Sequence, residues 1–306
     1  MRNGLRQQVV VFICSALLAM SAFAQVDCST VAAPSASNFG PYCDGSTVAL
    51  STPEVTGATY FWSGPNGFAS TDREPTLANA TAANSGMYFV TVTVDGCTPQ
   101  QGSTNVVVNA PPPTTTVYAR SYITTNTSGT ATGPAGLSNY SWSVAGGTAN
   151  GATDGQTVNF TAGAPGTLTL NFGATDPATG CSATNSTAVT VYPVPTISIN
   201  NVVAKAPPKG MTTTFDFHIT LNYPSSRTVT VVYYTSAQTA VGNVDYVPSW
   251  GTITFPPGTR EETESIIVKG TGARQQKQFL FILTQPTNAI AIVNGYPARG
   301  TGVINP

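Results

Sequence analysis

In the run Tyr88-Phe89-Val90-Thr91-Val92-Thr93-Val94, one set of alternate positions is Tyr88, Val90, Val92 and Val94, and the other is Phe89, Thr91 and Thr93. Only extended backbone sends successive side chains to opposite faces, so this stretch is a strand with one buried face and one wetted face. It belongs to a longer passage over residues 60–97. That passage begins Tyr60-Phe61-Trp62-Ser63, turns at Gly64-Pro65-Asn66-Gly67, and closes at Gly96-Cys97. A Trp on an early strand, a Tyr just after a Gly turn and a Cys beyond a late strand describe half of a small β-sandwich. Trp62 and Trp142 are therefore expected as core plugs, and Tyr88 as a buried ring whose hydroxyl caps a nearby backbone group.

The layout returns about 80 residues later as Tyr140-Ser141-Trp142-Ser143 and then Gly180-Cys181, which makes the passage one copy of a repeated module. Gly 29 and Pro 23, spread between short apolar runs, favour turns and strands over long helices. With 41% hydrophobic residues, the chain can build cores. Its 8% charged residues and net charge of −1 leave no electrostatic footprint for nucleic acid or an anionic membrane.

Residues 1–24 read as a secretory signal peptide. Arg2 and Arg6 form the basic start, residues 9–20 the apolar centre, and Ala22-Phe23-Ala24 the small-residue cleavage site. The apolar run is short for a membrane span, which needs about 20 residues. The mature chain is expected to be secreted or held at the cell surface, with no transmembrane segment. Of five cysteines, Cys28, Cys43, Cys97 and Cys181 survive cleavage, and an exported chain keeps disulfides. Cys43 precedes the first core strand of module one and Cys97 follows a late one, so their pairing is the first expectation. For Cys28 and Cys181, free thiols, an intermolecular link and a mutual bridge remain open. No two cysteines have the C-x-x-C spacing of a zinc site.

Residues 25–41 read as a linker, 42–110 as module one, 114–193 as module two and 196–306 as a third sandwich. Ala110-Pro111-Pro112-Pro113 and Pro193-Val194-Pro195 form stiff joints. Module one resembles the Ig-like and PKD-like modules of exported bacterial surface proteins at Tyr42-Cys43-Asp44-Gly45-Ser46, Tyr60-Phe61-Trp62-Ser63-Gly64-Pro65-Asn66-Gly67-Phe68 and Ser85-Gly86-Met87-Tyr88. Module two is PKD-like in looser form. The third resembles a Calx-beta domain at Val229-Thr230-Val231-Val232-Tyr233-Tyr234-Thr235, Val244-Asp245-Tyr246, Gly251-Thr252-Ile253-Thr254-Phe255-Pro256-Pro257-Gly258 and Gln285-Pro286-Thr287-Asn288-Ala289. The implied fold class is all-β: tandem Ig-like/PKD-like sandwiches followed by a Calx-beta sandwich.

That last resemblance implies calcium held by acidic loop residues at one end of the sandwich. Calcium needs about six to eight oxygen ligands. Asp245 matches the family's Asp before Tyr, but Ala206 stands where a Glu is expected and Arg274 and Lys277 occupy the acidic loop. Pro306 takes the terminal acidic position. No cofactor is expected, and Asp245, the residual metal candidate, is free to pair with a Lys or Arg instead.

No catalytic residue is expected either. His218 alternates with Phe217 and Ile219 and so faces solvent with Asp216 and Thr220. In Glu261-Glu262-Thr263-Glu264, neighbouring carboxylates point to opposite faces of an exposed, charged strand. Five Asn-x-Ser/Thr sites, at Asn79, Asn126, Asn139, Asn159 and Asn185, read as chance matches in a Thr-rich chain. The expected function is non-enzymatic adhesion or interaction with a protein or glycan at the cell surface. Two alternatives stand beside it: a carbohydrate-binding accessory protein using Tyr60, Phe61 or Phe68 as an aromatic platform, and a spacer or fragment of a larger surface protein.

Overall fold

The computed structural model describes residues 32–113, 120–293 and 295–306. The expected signal peptide and Cys28 lie outside the described residues. Regular structure is almost entirely strand, and the chain is all-β. The described residues up to Asn109 form one compact unit and those from Ala110 onward another.

The first unit packs a four-stranded antiparallel sheet against a short three-stranded one. The four strands run, in spatial order, Phe68–Ser70, Ala58–Gly64, Gly86–Val94 and Gln100–Val106. Ser37–Asn38, Val48–Ser51 and Thr76–Leu77 make the second sheet. Alternation places Val48, Leu50, Trp62, Tyr88, Val90 and Val92 in the core between them. Trp62 is fully buried opposite Val90. The Tyr88 hydroxyl donates to the Asn84 carbonyl at 3.0 Å, which ties the entry of its strand to the preceding turn. Burial alone pushes the Tyr88 phenol above its ordinary pKa.

Two expectations change here. The segment read as a linker over 25–41 contributes the strand Ser37–Asn38, which pairs with Leu50 and Ser51. Just before it, the Pro34 carbonyl sits 1.9 Å from where a Cβ on Gly102 would lie, so only glycine lets the chain pass so close. A segment without periodicity can still be ordered when a neighbouring backbone makes room for it.

The second change concerns the cysteines. Cys43, Cys97 and Cys181 are each disulfide-bonded, so Cys181 is not a free thiol. However, Cys43 pairs in register with Asn109, beyond the Val106 that faces Gly86, the first residue of the long central strand. Cys97 lies just past Val94, the last. That strand is about 26 Å long at 3.3 Å per residue, whereas bridged cysteines hold their Cα atoms within about 7 Å. The expected Cys43–Cys97 pairing is therefore corrected, and the two cysteines belong to different bridges. Peptide mapping under non-reducing conditions is expected to recover them in separate cross-linked peptides; a single peptide joining both would contradict the strand register.

The second unit holds two sandwiches. In the first of these, Tyr122–Thr124, Ser182–Tyr192, Gly166–Thr175 and Ser138–Ala145 form one sheet, and Ser128–Thr132, Thr157–Ala162 and Gly147–Ala149 the other. Trp142 is 6% exposed, lies 4.8 Å from Phe172 between ring centroids, and donates its indole N–H to the Gly155 carbonyl at 2.9 Å.

The other sandwich sets Ile197–Ile199, Thr212–Leu221 and Glu261–Lys269 against a five-stranded sheet. That sheet runs Val202–Lys205, Arg299–Asn305, Lys277–Thr287, Val229–Ala237 and Trp250–Phe255. Its core stacks Phe215, Phe217, Phe279, Phe281, Tyr233 and Tyr246. Across the Pro193-Val194-Pro195 segment, the Tyr192 and Tyr223 rings stack at 5.3 Å. Thr124 and Ser226 bond reciprocally, each backbone N–H to the other's hydroxyl at 3.0 Å. The two sandwiches thus meet through side chains as well as through the proline joint.

Asn79, Asn126 and Asn139, three of the Asn-x-Ser/Thr positions, have φ of 52°, 56° and 49°. Asn tolerates this left-handed conformation better than other non-glycine residues, which accounts for its presence at the turns of Asn79 and Asn126 and at the strand irregularity of Asn139 without a glycan.

Candidate functional site

Asp245 is 1% exposed at one end of the third sandwich. A buried carboxylate persists as an anion only when its oxygens are paired and hydrogen-bonded. Here Lys277 Nζ lies 2.7 Å from Oδ1 and 2.8 Å from Oδ2. The Val241 backbone N–H donates to Oδ2 at 2.8 Å, and the Thr271 hydroxyl to Oδ1 at 3.2 Å. Burial by itself raises the Asp245 pKa. The bonds from Lys277, Val241 and Thr271, with the Lys277 charge, outweigh it and hold the carboxyl below its ordinary value.

The lysine in this pair stands in the loop that carries acids in the calcium-binding resemblance. An ammonium group thus occupies the carboxylate that a cation would use. A nearby recess of about 430 Å³, lined by Ala206, Pro207, Pro208, Lys209, Gly272 and Pro306, has no acidic side chain. Among the described residues, no group of three or more His, Cys, Asp or Glu side chains is placed to hold a metal. The residues present do not fit calcium. The melting temperature is expected to be the same in millimolar calcium and in chelator, and a rise of several degrees with calcium would reveal a site built from carbonyl or Asn oxygens.

His218 stands on the outer face of its sheet, with Nδ1 2.9 Å from Glu261 Oε1 and 3.2 Å from Thr263 Oγ1. The His218 and Glu261 side chains are 49% and 59% exposed, so their contact is an open-surface pair with no walls to exclude water. Glu264 differs from the exposed charged strand expected from sequence. It faces Phe217 in register and accepts a hydrogen bond from the Tyr233 hydroxyl, which also lies 3.2 Å from Ser249 Oγ. Burial, with the Glu264 contact adding to it, raises the Tyr233 pKa. Nothing in the sequence links residues 233 and 264; only the stacking of the two sheets does.

The aromatic platform expected at Tyr60, Phe61 and Phe68 is not one surface. Tyr60 turns inward, its hydroxyl accepting the Val55 backbone N–H at 2.8 Å, and the Phe68 ring packs on Tyr88 at 5.3 Å. Only Phe61, 51% exposed, looks outward, on the same face as Phe89. The strongest exposed aromatic lies elsewhere and was not singled out by sequence. Trp250 is 83% exposed on the edge strand of the five-stranded sheet, directly opposite Tyr234 at 41%. Tyr234 faces Ile282, which faces Arg299, so one transverse row on the outer face reads Trp250, Tyr234, Ile282, Arg299. Val203, 62% exposed, stands on the opposite edge strand. The signal was parity: Trp250 is out of phase with the buried Ile253 and Phe255.

No protein-family model matches the chain, and no curated protein matches it. Among solved structures, the apo form of the Calx CBD1 domain is 22% identical, with a TM-score of 0.31, over 36% of this chain and 96% of that one. Three N-terminal domains of the bacteriophage RB49 highly immunogenic outer capsid protein (Hoc) are 14% identical at a TM-score of 0.34, over 89% and 98%. The titin domains I67–I69 are 12% identical at 0.29, over 90% and 99%. At such values the fold rests on the strand pairing itself. Among the described residues, no helix is long and apolar enough to cross a membrane.

Proposed function

We propose that the chain is an exported, non-enzymatic interaction protein of three β-sandwiches that docks a protein partner at the cell surface through the outer sheet face of its third sandwich. The observation that carries this is the row Trp250, Tyr234, Ile282, Arg299, with Trp250 83% exposed. Trp, Tyr and Arg are the side chains that dominate the energetics of protein interfaces, and here they share one face with an aliphatic centre. Leaving an indole in water forgoes the burial free energy of a large apolar surface, which a partner recovers on docking. Disulfide bonding of Cys43, Cys97 and Cys181 supports an oxidising compartment outside the cytosol.

The test is binding of the purified full chain to intact cells of the producing organism. Binding is expected to be abolished by surface proteolysis and weakened at least tenfold by Trp250→Ala, with the melting temperature unchanged. Binding that survives proteolysis but is lost on periodate oxidation of surface glycans would favour the carbohydrate-binding reading instead, with Trp250 and Tyr234 as its stacking surface. Binding indifferent to Trp250→Ala would overturn both.

A further inference from the structure

We infer that the junction between the second and third sandwiches is a binding cleft for an acidic saccharide, with Arg120 and Arg227 taking its carboxylate or sulfate group. The cleft has a volume of about 510 Å³ and is lined by Arg120, Thr127, Ser128, Thr130, Ser226 and Arg227. The chain has 12 lysines and arginines in 306 residues, and two of them line this one recess without an acidic residue in the lining. Among the described residues neither guanidinium has a carboxylate within ion-pair reach, the pairs there being Arg73–Glu74, His218–Glu261 and Lys277–Asp245.

Two like charges sharing a low-charge cleft repel each other, and an oxyanion removes that repulsion while matching the planar donor fork of a guanidinium. The other lining groups decide the ligand class. Thr130 gives its proton to Asn159 Oδ1 and Ser226 gives its own to Thr124 Oγ1, so these oxygens meet a ligand as acceptors, which the hydroxyl protons of a sugar ring satisfy, and the volume is of ligand-pocket size.

The walls are held in place before any ligand arrives. Arg120 Nη1 donates to the Ser226 carbonyl at 3.3 Å, so one side of its guanidinium is anchored across the junction. The Thr124–Ser226 bonds and the Tyr192–Tyr223 stack fix the two sandwiches on either side. Gly258, at φ 92°, brings its turn so close that a Cβ there would lie 2.9 Å from the Tyr122 hydroxyl. A pre-formed cleft spends little binding free energy on ordering its walls. Overall electrostatics would not draw a polyanion to this protein, whose net charge is −1, so binding must come from the local pair.

The experiment is affinity electrophoresis of the full chain through gels containing polygalacturonate, dextran sulfate, neutral dextran or poly-glutamate. Retardation is expected with polygalacturonate or dextran sulfate, the stronger of the two identifying the oxyanion, and not with neutral dextran. Arg227→Gln should weaken it at least tenfold without changing the melting temperature, because Arg227 is exposed, and Arg227→Lys should retain part of it. Trp250→Ala should leave it unchanged, which separates this site from the docking face. Equal retardation by neutral dextran, or none lost in Arg227→Gln, would overturn the inference; equal retardation by poly-glutamate would overturn its assignment to a saccharide.

Discussion

Replacing Lys277 with Met is expected to destabilise the third sandwich by about 3–5 kcal/mol, because it leaves the Asp245 carboxylate buried without its counter-charge. Asp245 is 1% exposed, so water cannot take over the role of the ammonium. The effect is read as a lower urea midpoint at neutral pH. The partner variant Asp245→Asn combined with Lys277→Met should lose less than Lys277→Met alone, since it removes the stranded charge along with its partner.

The pH dependence of the same pair has a definite sign. The native Asp245 carboxyl is held below its ordinary value, so its contribution to stability is complete above the unfolded carboxyl pKa of about 3.9 and is lost as pH falls through the lower native value. In Lys277→Met only the bonds from Val241 and Thr271 still oppose burial, so the carboxyl pKa lies above its wild-type value. The gap between wild type and variant should therefore be widest near neutral pH and narrow as the pH drops below about 4. A gap that stays constant with pH would show that the loss comes from side-chain packing and not from the stranded charge.

Trp62→Ala should cost the first unit about 3–5 kcal/mol, the range for truncating a fully buried aromatic side chain. Trp62 plugs the space between the two sheets, beside Val48, Leu50, Tyr88, Val90 and Val92. Trp62→Phe should cost clearly less. The indole N–H is buried with no hydrogen-bond partner among the described residues, so its removal forfeits no bond and the change is confined to lost volume. Guanidinium unfolding of the three proteins checks the order, and equal losses for Ala and Phe would mean that the indole shape, not its volume, carries the stability.

Trp142 offers the contrast within the same chain. It occupies the equivalent position of the repeat, yet its N–H donates to the Gly155 carbonyl at 2.9 Å. The repeat conserved the plug but not the polar contact, a difference set by the loop that each module happens to present.

Side-chain parity made most of the fold legible. Tyr88, Val90, Val92 and Val94 are buried on one face, and the same alternation returns in Leu168, Leu170 and Phe172 and in Phe279, Phe281 and Leu283. The all-β class follows because a period of two commits a segment to extended backbone whatever it pairs with. The pairing of Asp245 with a cation was equally readable, since Arg274 and Lys277 stand in the loop that the calcium-binding resemblance would fill with acids.

What parity cannot convey is which segments meet, and that governed the corrections at Cys43, Pro34 and Glu264. The strand Gly86–Val94 separates Cys43 from Cys97 by its whole length, although both flank the same module in sequence. Pro34 is ordered against Gly102, and Glu264 meets Tyr233, through contacts between segments far apart in the chain. The candidate surfaces have the same origin. Trp250, Tyr234, Ile282 and Arg299 come from four strands and fall into one row only once the pairing is set. Arg120 and Arg227 share a cleft only because Thr124 and Ser226 clasp the two sandwiches there. Local backbone preference and hydrophobic alternation are properties of consecutive residues, so the sequence by itself determined the strands and which of their faces turn inward. The exposed row, the arginine cleft and the Asp245–Lys277 lock depend on which strands lie side by side, and that is decided only when the sheets pair and their buried faces close on each other.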